Sequence, residues 1–100
     1  MAHGKTEGET MMGVYVDSCG HSFGRMKMCH MIADSRIELI AMAEMIGVEV
    51  GWIQAAGTPT EHFDVCMSKR KLAIGYGAQP INRRKLAILI SGKRTHGGGK

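Results

Sequence analysis

The sequence predicts one small α/β or α+β domain, with a mixed sheet of short strands and about three helices. A chain of 100 residues is long enough for one domain with a modest core. Its hydrophobic share of 44% is ordinary for a globular protein. Short β-branched stretches and helical stretches follow one another in the order β-β-α-β-β-α-β-α. We expect a flexible extension over residues 1–11, the domain over residues 12–92, and a disordered basic, glycine-rich tail over residues 93–100.

The first two strands are predicted from short runs that favour extended backbone. Met12–Asp17 is short and β-branched, and Ser18–Gly24 is a loop by its glycine and serine content. Lys27–Ala33 is predicted as the second strand. Because neighbouring residues of a strand point to opposite faces, His30 should face away from Cys29.

The first helix is the most clearly marked element. Ser35 and Glu38 have the spacing of a capping box, in which the serine hydroxyl accepts from the third amide and the glutamate reaches back to the cap amide. An apolar run to Ile46 follows. Gly47 is then expected to end the helix in the left-handed conformation.

The middle of the chain returns to extended structure. Residues 48–54 are predicted as a short strand or extended segment, and residues 55–60 as a loop that contains glycine and proline. Residues 62–65 have strand character. His62 and Asp64 should share one face of that strand, since side chains alternate.

Two further helices are predicted near the C-terminus. Ser68 can cap a helix over Lys69–Tyr76, and Asn82 can cap a helix over Arg83–Ser91. A brief extended piece over residues 79–81 separates them.

Charge divides the chain into two parts. Up to Asp64 there are four Lys or Arg against nine Asp or Glu, whereas the remainder has nine Lys or Arg and no acidic residue. This asymmetry indicates an anionic partner, such as a nucleotide or nucleic acid, or else a solvated face that maintains solubility. The predicted phosphate contacts are the two basic triplets, Lys69, Arg70, Lys71 and Arg83, Arg84, Lys85.

Composition argues against membrane and secreted classes. No apolar run approaches the roughly 20 residues that a membrane span requires, and the first ten residues contain no apolar signal core. Three cysteines cannot all pair within one chain, so we interpret Cys19, Cys29 and Cys66 as reduced thiols in a cytoplasmic protein. Their spacing does not match paired zinc ligands.

Five polar residues are candidates for a ligand-binding site: Arg25, His30, Asp34, His62 and Asp64. The leading interpretation is recognition of a phosphate-bearing ligand by these residues and the basic face. The alternative is a divalent-metal site built from His30, Asp34, His62 and Asp64, with Arg25 orienting a phosphoester that a metal-bound water attacks. The sequence leaves open whether the protein is an enzyme.

Each candidate also has a structural explanation. Asp34 would favour the N-terminus of the first helix electrostatically, and the capping box alone explains Glu38. His62 and Asp64 would bond each other or a backbone amide, and Arg25 would form an ion pair with a nearby carboxylate.

The spacing of these residues resembles an uncharacterised small domain family of bacteria and their phages. The resemblance rests on Gly24-Arg25, His30, Asp34, Glu38-Leu39, Gly47 and Glu61-His62-Phe63-Asp64, and it covers about residues 13–90. It implies a single-domain protein of the bacterial cytoplasm, or of the host cytoplasm if phage-encoded. A phage protein of this size could instead inhibit a host protein by docking on it. Self-association would complete the core of so methionine-rich a domain.

Overall fold

The structure is a computed structural model that describes residues 13–18, 21–23 and 26–98, with only the backbone described for residues 21–23, 26 and 93–98. Within these residues, a five-stranded mixed sheet packs with three helices, which confirms the predicted α/β class. The strands are β1 (Val14–Val16), β2 (His21–Phe23), β3 (Met26–Ala33), β4 (Phe63–Cys66) and β5 (Gln79–Pro80). The helices are α1 (Arg36–Ile46), α2 (Met67–Gly75) and α3 (Arg83–Gly98).

The eight-residue strand β3 organises the sheet. Strand β4 pairs with one edge of β3 in antiparallel orientation. Along the opposite edge, β2 pairs with the first part of β3 and β1 pairs with the last part, both antiparallel. Strand β5 extends the sheet by pairing with β1 in parallel. Every strand except β5 therefore contacts β3 directly.

Side chains of β3 and β4 alternate between the two faces of the sheet, as predicted. Cys29 and Met31 of β3 are fully buried in the core, together with Phe63 and Val65 of β4. Residues of α1 such as Leu39 complete this core from the helical side. The residues between them, including His30 and Asp64, are only partly buried on the other face.

Helix α1 begins and ends where the sequence predicts. The Ser35 hydroxyl oxygen accepts from the Glu38 amide at 3.3 Å, and Gly47 adopts a left-handed φ of 80°. One detail differs from the expected capping box. The Glu38 carboxylate accepts from the Ser35 hydroxyl at 2.9 Å, so serine and glutamate bond each other through their side chains.

Three local predictions are wrong. Strand β2 occupies part of the predicted loop, because it pairs with β3. Residues 50–52 form a 3-10 turn, and this turn brings Gln54 back beside His62. Helix α2 begins at Met67 without a side-chain cap, since β4 runs directly into it and leaves no loop for Ser68 to cap.

Helix α3 begins with the predicted cap, in which the Asn82 side-chain oxygen accepts from the Lys85 amide at 2.8 Å. It then continues to Gly98, beyond the predicted end at Ser91 and into the expected disordered tail. No helix of the described residues is long and apolar enough to cross a membrane.

Candidate functional site

The register of β3 and β4 places His30 and Asp64 directly opposite each other. Opposed residues of an antiparallel pair project to the same face of the sheet. His30 Nε2 lies 3.9 Å from Asp64 Oδ1. Alternation along each strand predicts only the face on which a side chain lies. The pairing of β3 with β4 then brings His30 and Asp64 together on that face.

His62 joins this pair from the residue that precedes β4. A two-way backbone bridge holds it, in which Gln54 N donates to His62 O at 2.9 Å and His62 N donates to Gln54 O at 3.0 Å. His62 Nε2 lies 3.4 Å from Asp64 Oδ1. The His30 and His62 rings meet edge to face, with centroids 5.2 Å apart. We call His30, His62 and Asp64 the imidazole cluster.

Each side chain of the cluster also forms a hydrogen bond through a polar atom that points away from the other two side chains. His62 Nδ1 lies 2.7 Å from the Thr60 carbonyl oxygen, which can only accept. His30 Nδ1 lies 2.8 Å from Asp17 Oδ2. Gln54 Nε2 donates to Asp64 Oδ2 at 2.7 Å. These bonds orient the three side chains so that both Nε2 atoms and Asp64 Oδ1 face one another.

Asp64 Oδ1 is buried and has no hydrogen-bond partner among the residues that the structure describes. A buried acceptor of this kind normally has a partner, and its absence requires an explanation. In a neutral ring with its proton on Nδ1, the Nε2 atom has a lone pair and cannot donate to Oδ1. When both rings are neutral, three electron-pair donors therefore converge on one small volume.

The spacing of these three atoms suits a metal ion. One ligand atom from each of the three residues lies within 4.8 Å of the other two. Ligand atoms about 2.1 Å from a metal lie roughly 3.0 to 3.5 Å apart in octahedral or tetrahedral geometry. The 3.4 Å separation between His62 and Asp64 already fits, and His30 would need to approach Asp64 by about half an ångström.

The segment that carries Gln54, Thr60 and His62 is anchored by Glu61. This carboxylate is 9% exposed. Its Oε1 accepts from Arg36 Nη2 at 3.1 Å and from the Gly57 amide at 3.0 Å. The ion pair between Glu61 and Arg36 of α1 thus anchors the loop that positions His62 and Gln54.

Asp17 is the functional-site residue that sequence reasoning missed. It follows β1, is 1% exposed, and contacts His30 through both carboxylate oxygens. Its only signal in the sequence is an acidic residue directly after a β-branched strand. Its partnership with His30 depends on the pairing of β1 with β3, which the sequence does not specify.

Asp34, the other predicted site residue that the structure describes, is not in the imidazole cluster. Asp34 lies past the end of β3 and accepts from the Tyr15 hydroxyl at 3.2 Å. We call Tyr15, Asp34, Ser35 and Glu38 the helix-start cluster. Burial, followed by the charge of Asp34 and its hydrogen bond, raises the pKa of Tyr15. Arg25 lies outside the described residues.

The two basic triplets differ in their contacts. Lys69 Nζ donates to the Ile46 carbonyl at 2.7 Å, and Arg70 Nε donates to the Asp17 carbonyl at 2.8 Å. Both residues therefore hold parts of the fold together. Lys71 is exposed, as are the residues of the second triplet, Arg83, Arg84 and Lys85.

The two described cysteines, Cys29 and Cys66, are not part of the imidazole cluster. Cys29 is disulfide-bonded, which corrects the expectation of three reduced thiols. Cys66 is a free thiol at the start of α2. A hydrogen bond with the Ser68 hydroxyl, assisted by backbone amides, lowers the pKa of Cys66.

The chain belongs to the family described as Protein of unknown function (DUF4031), whose model matches residues 14–92. The match includes all members of the imidazole cluster and Asp17. No curated protein and no solved structure matches the chain significantly.

Proposed function

We propose that this member of the DUF4031 family binds one divalent transition-metal ion through His30, His62 and Asp64 and uses it to hydrolyse a phosphate ester. One observation carries the proposal: a buried carboxylate oxygen of Asp64, with no hydrogen-bond partner in the described part of the chain, faces the Nε2 atoms of two histidines. The outer atoms of all three side chains are bonded to other groups. Such outer hydrogen bonds orient ligands around metal ions.

The donor set favours a hydrolytic metal centre. Two imidazoles and one carboxylate suit Zn²⁺, Mn²⁺ or Fe²⁺, and three protein ligands leave a coordination position for water. The cluster is accessible to that water, because its side chains are 21% to 33% exposed. A metal ion held there would supply a water of lowered pKa. Hydrolysis would form a bond from that water's oxygen to phosphorus, break the ester P–O bond, and pass the water's proton to the departing alcohol.

The charge distribution supports a phosphate-bearing substrate. Three residues form a row across the sheet: Asp64 on β4, His30 on β3 and Asp17 directly after β1. The Ile81 amide donates to the Val16 carbonyl at 2.8 Å, so the chain entering α3 lies beside this row. With strands about 4.8 Å apart, that chain is roughly 10 Å from His30. The second basic triplet begins two residues later, where it would attract a polyanion.

Metal content tests the proposal most directly. We expect near-stoichiometric metal in the purified wild type after reconstitution with Zn²⁺ or Mn²⁺, measured by mass spectrometry, and little in His62→Ala. Asp34→Ala is the matched control, since it removes a carboxylate outside the cluster, and it should retain the metal. Wild type without bound metal under these conditions would overturn the proposal.

Hydrolysis is tested separately on the metal-loaded protein. We expect bis(p-nitrophenyl) phosphate to be cleaved by wild type and Asp34→Ala, and not by His62→Ala. Stoichiometric metal without cleavage of this ester or of a nucleic acid would retain the metal site and reject the hydrolase.

The second candidate function is phosphate recognition without chemistry. Arg83, Arg84 and Lys85 are exposed, and none forms an ion pair with the residues that the structure describes. Binding of an oligonucleotide should then weaken steadily with salt, in proportion to the phosphates contacted. Replacing all three residues with Gln should reduce the salt dependence. An unchanged salt dependence would reject this surface.

A further inference from the structure

We infer that Asp17 is a positioning residue that holds His30 in the tautomer with its proton on Nδ1, so that the Nε2 lone pair faces the imidazole cluster. The inference about the tautomer concerns the metal-free protein. Its functional consequence, support of metal binding by His30, rests on the proposed function.

Both oxygens of Asp17 contact the same residue. Oδ1 accepts from the His30 backbone amide at 2.7 Å, and Oδ2 lies 2.8 Å from His30 Nδ1. The Asp17 amide in turn donates to the His30 carbonyl at 3.0 Å. These bonds extend the contact between β1 and β3 by one residue beyond β1. The Asp17 carboxylate cannot rotate without breaking one of them.

Asp17 is itself held in place. It is 1% exposed, and its carbonyl accepts from Arg70 Nε of α2 at 2.8 Å. The position of the carboxylate is thus fixed by a strand on one side and a helix on the other. Such rigid support keeps a ligand-bearing ring within narrow limits.

The contact determines where the ring proton lies. A carboxylate accepts hydrogen bonds, so the nitrogen beside Oδ2 is the donor. A neutral imidazole has one N–H group, and Nε2 then has the lone pair. This arrangement, in which a carboxylate accepts from the outer nitrogen of a ligating histidine, supports metal binding in many proteins.

Asp17→Asn should invert the tautomer with almost no change in volume. The His30 amide can only donate, so the oxygen of the new side chain must take the Oδ1 position. Its NH₂ group then faces Nδ1, which must accept. The ring proton moves to Nε2, where it faces Asp64 and blocks metal coordination.

Nitrogen NMR of the histidine side chains measures this directly. In metal-free wild type, long-range ¹H–¹⁵N spectra should show His30 protonated on Nδ1, with the signal among five histidines assigned from His30→Gln. In Asp17→Asn it should be protonated on Nε2. Asp34→Asn, which alters an exposed carboxylate outside the cluster, should leave the wild-type tautomer. A wild-type ring protonated on Nε2 would overturn the inference even if Asp17→Asn did not fold.

Metal affinity then tests the functional consequence. Loss of such an outer carboxylate typically weakens metal binding about 10- to 100-fold, and we expect a weakening of that size in Asp17→Asn. An inverted tautomer with unchanged affinity would reject the supporting role of Asp17. The expected tautomers in a wild type that binds no metal would leave the assignment of Asp17 standing and overturn only the proposed function.

Discussion

Asp34 and Asp64 are carboxylates that the sequence assigns to one site, and the structure gives them opposite surroundings. Asp34 is exposed in the helix-start cluster, where the Tyr15 hydroxyl donates to it at 3.2 Å. Asp64 is 28% exposed, and one of its oxygens is buried between two imidazole nitrogens, with no hydrogen-bond partner from the described residues. Asp34 therefore has a hydrogen-bond donor beside it, whereas Asp64 Oδ1 has none among the described residues.

The difference distinguishes a structural carboxylate from a candidate ligand. Acidic and hydroxyl side chains at a helix start stabilise that helix by bonding amides and one another. A buried acceptor without a partner costs about 1 to 3 kcal/mol of folding free energy. Functional sites are where such local violations are expected. The imidazole cluster contains such a violation. The residues of the helix-start cluster are explained by the bonds with which they stabilise α1.

The largest expected effect is on metal affinity. Asp64→Ala removes the only carboxylate of the imidazole cluster, and we expect the dissociation constant for Zn²⁺, measured by isothermal titration calorimetry, to rise at least about 100-fold. Asp34→Ala should change it by less than about twofold, because Asp34 has no contact with the cluster. Equal losses in the two variants would remove the distinction between the clusters.

The second effect is on the stability of the metal-free protein, where the two carboxylates should respond with opposite sign. In Asp64→Asn, the oxygen must remain beside Gln54, so the new NH₂ group faces the histidine lone pairs and donates to them. We expect a gain of about 1 to 3 kcal/mol in the free energy of unfolding. Asp34→Ala should lose about 1 kcal/mol or less, since its bond is exposed.

Urea denaturation in the presence of EDTA measures both changes. His62→Ala provides a control for Asp64→Asn, because it removes one lone pair without supplying a donor. Destabilisation by Asp64→Asn would show that Asp64 Oδ1 is stabilised in the metal-free protein and would weaken the argument for a ligand.

The smallest effect concerns the titration of Tyr15. Burial raises the pKa of this phenol first, and the nearby Asp34 charge raises it further by opposing a second negative charge. Asp34→Ala should therefore lower the pKa of Tyr15 toward, but not to, its ordinary value. Asp64→Ala should leave it unchanged. NMR titration of the tyrosine ring carbons resolves Tyr15 from Tyr76, and an unchanged pKa in Asp34→Ala would contradict the contact.

The sequence predicts part of the candidate site from its residue types and from the alternation of side chains along strands. His30 and the His62–Asp64 pair were placed on the correct faces of their strands, because side chains alternate with a period of two. Asp34 is predicted for the same site, but it lies just before α1 and accepts from the Tyr15 hydroxyl instead. The sequence predicts the start of α1 beside Asp34 and does not predict the contact with Tyr15.

The sequence alone determined the elements that depend on local rules. Helix α1 has both its start at Ser35 and its end at Gly47 encoded by neighbouring residues, and the Asn82 cap of α3 is equally local. Capping and left-handed glycine require only groups a few residues apart. The α/β class follows from the same local patterns, summed along the chain.

Only the tertiary structure decided which residues meet. The register of β3 against β4 brings His30 opposite Asp64, and the pairing of β1 with β3 brings Asp17 to His30 across 13 positions of sequence. A shift of one residue in either pairing would turn these side chains to the opposite face. Strand register is set by long-range packing of the core, so the site exists only once that core has formed.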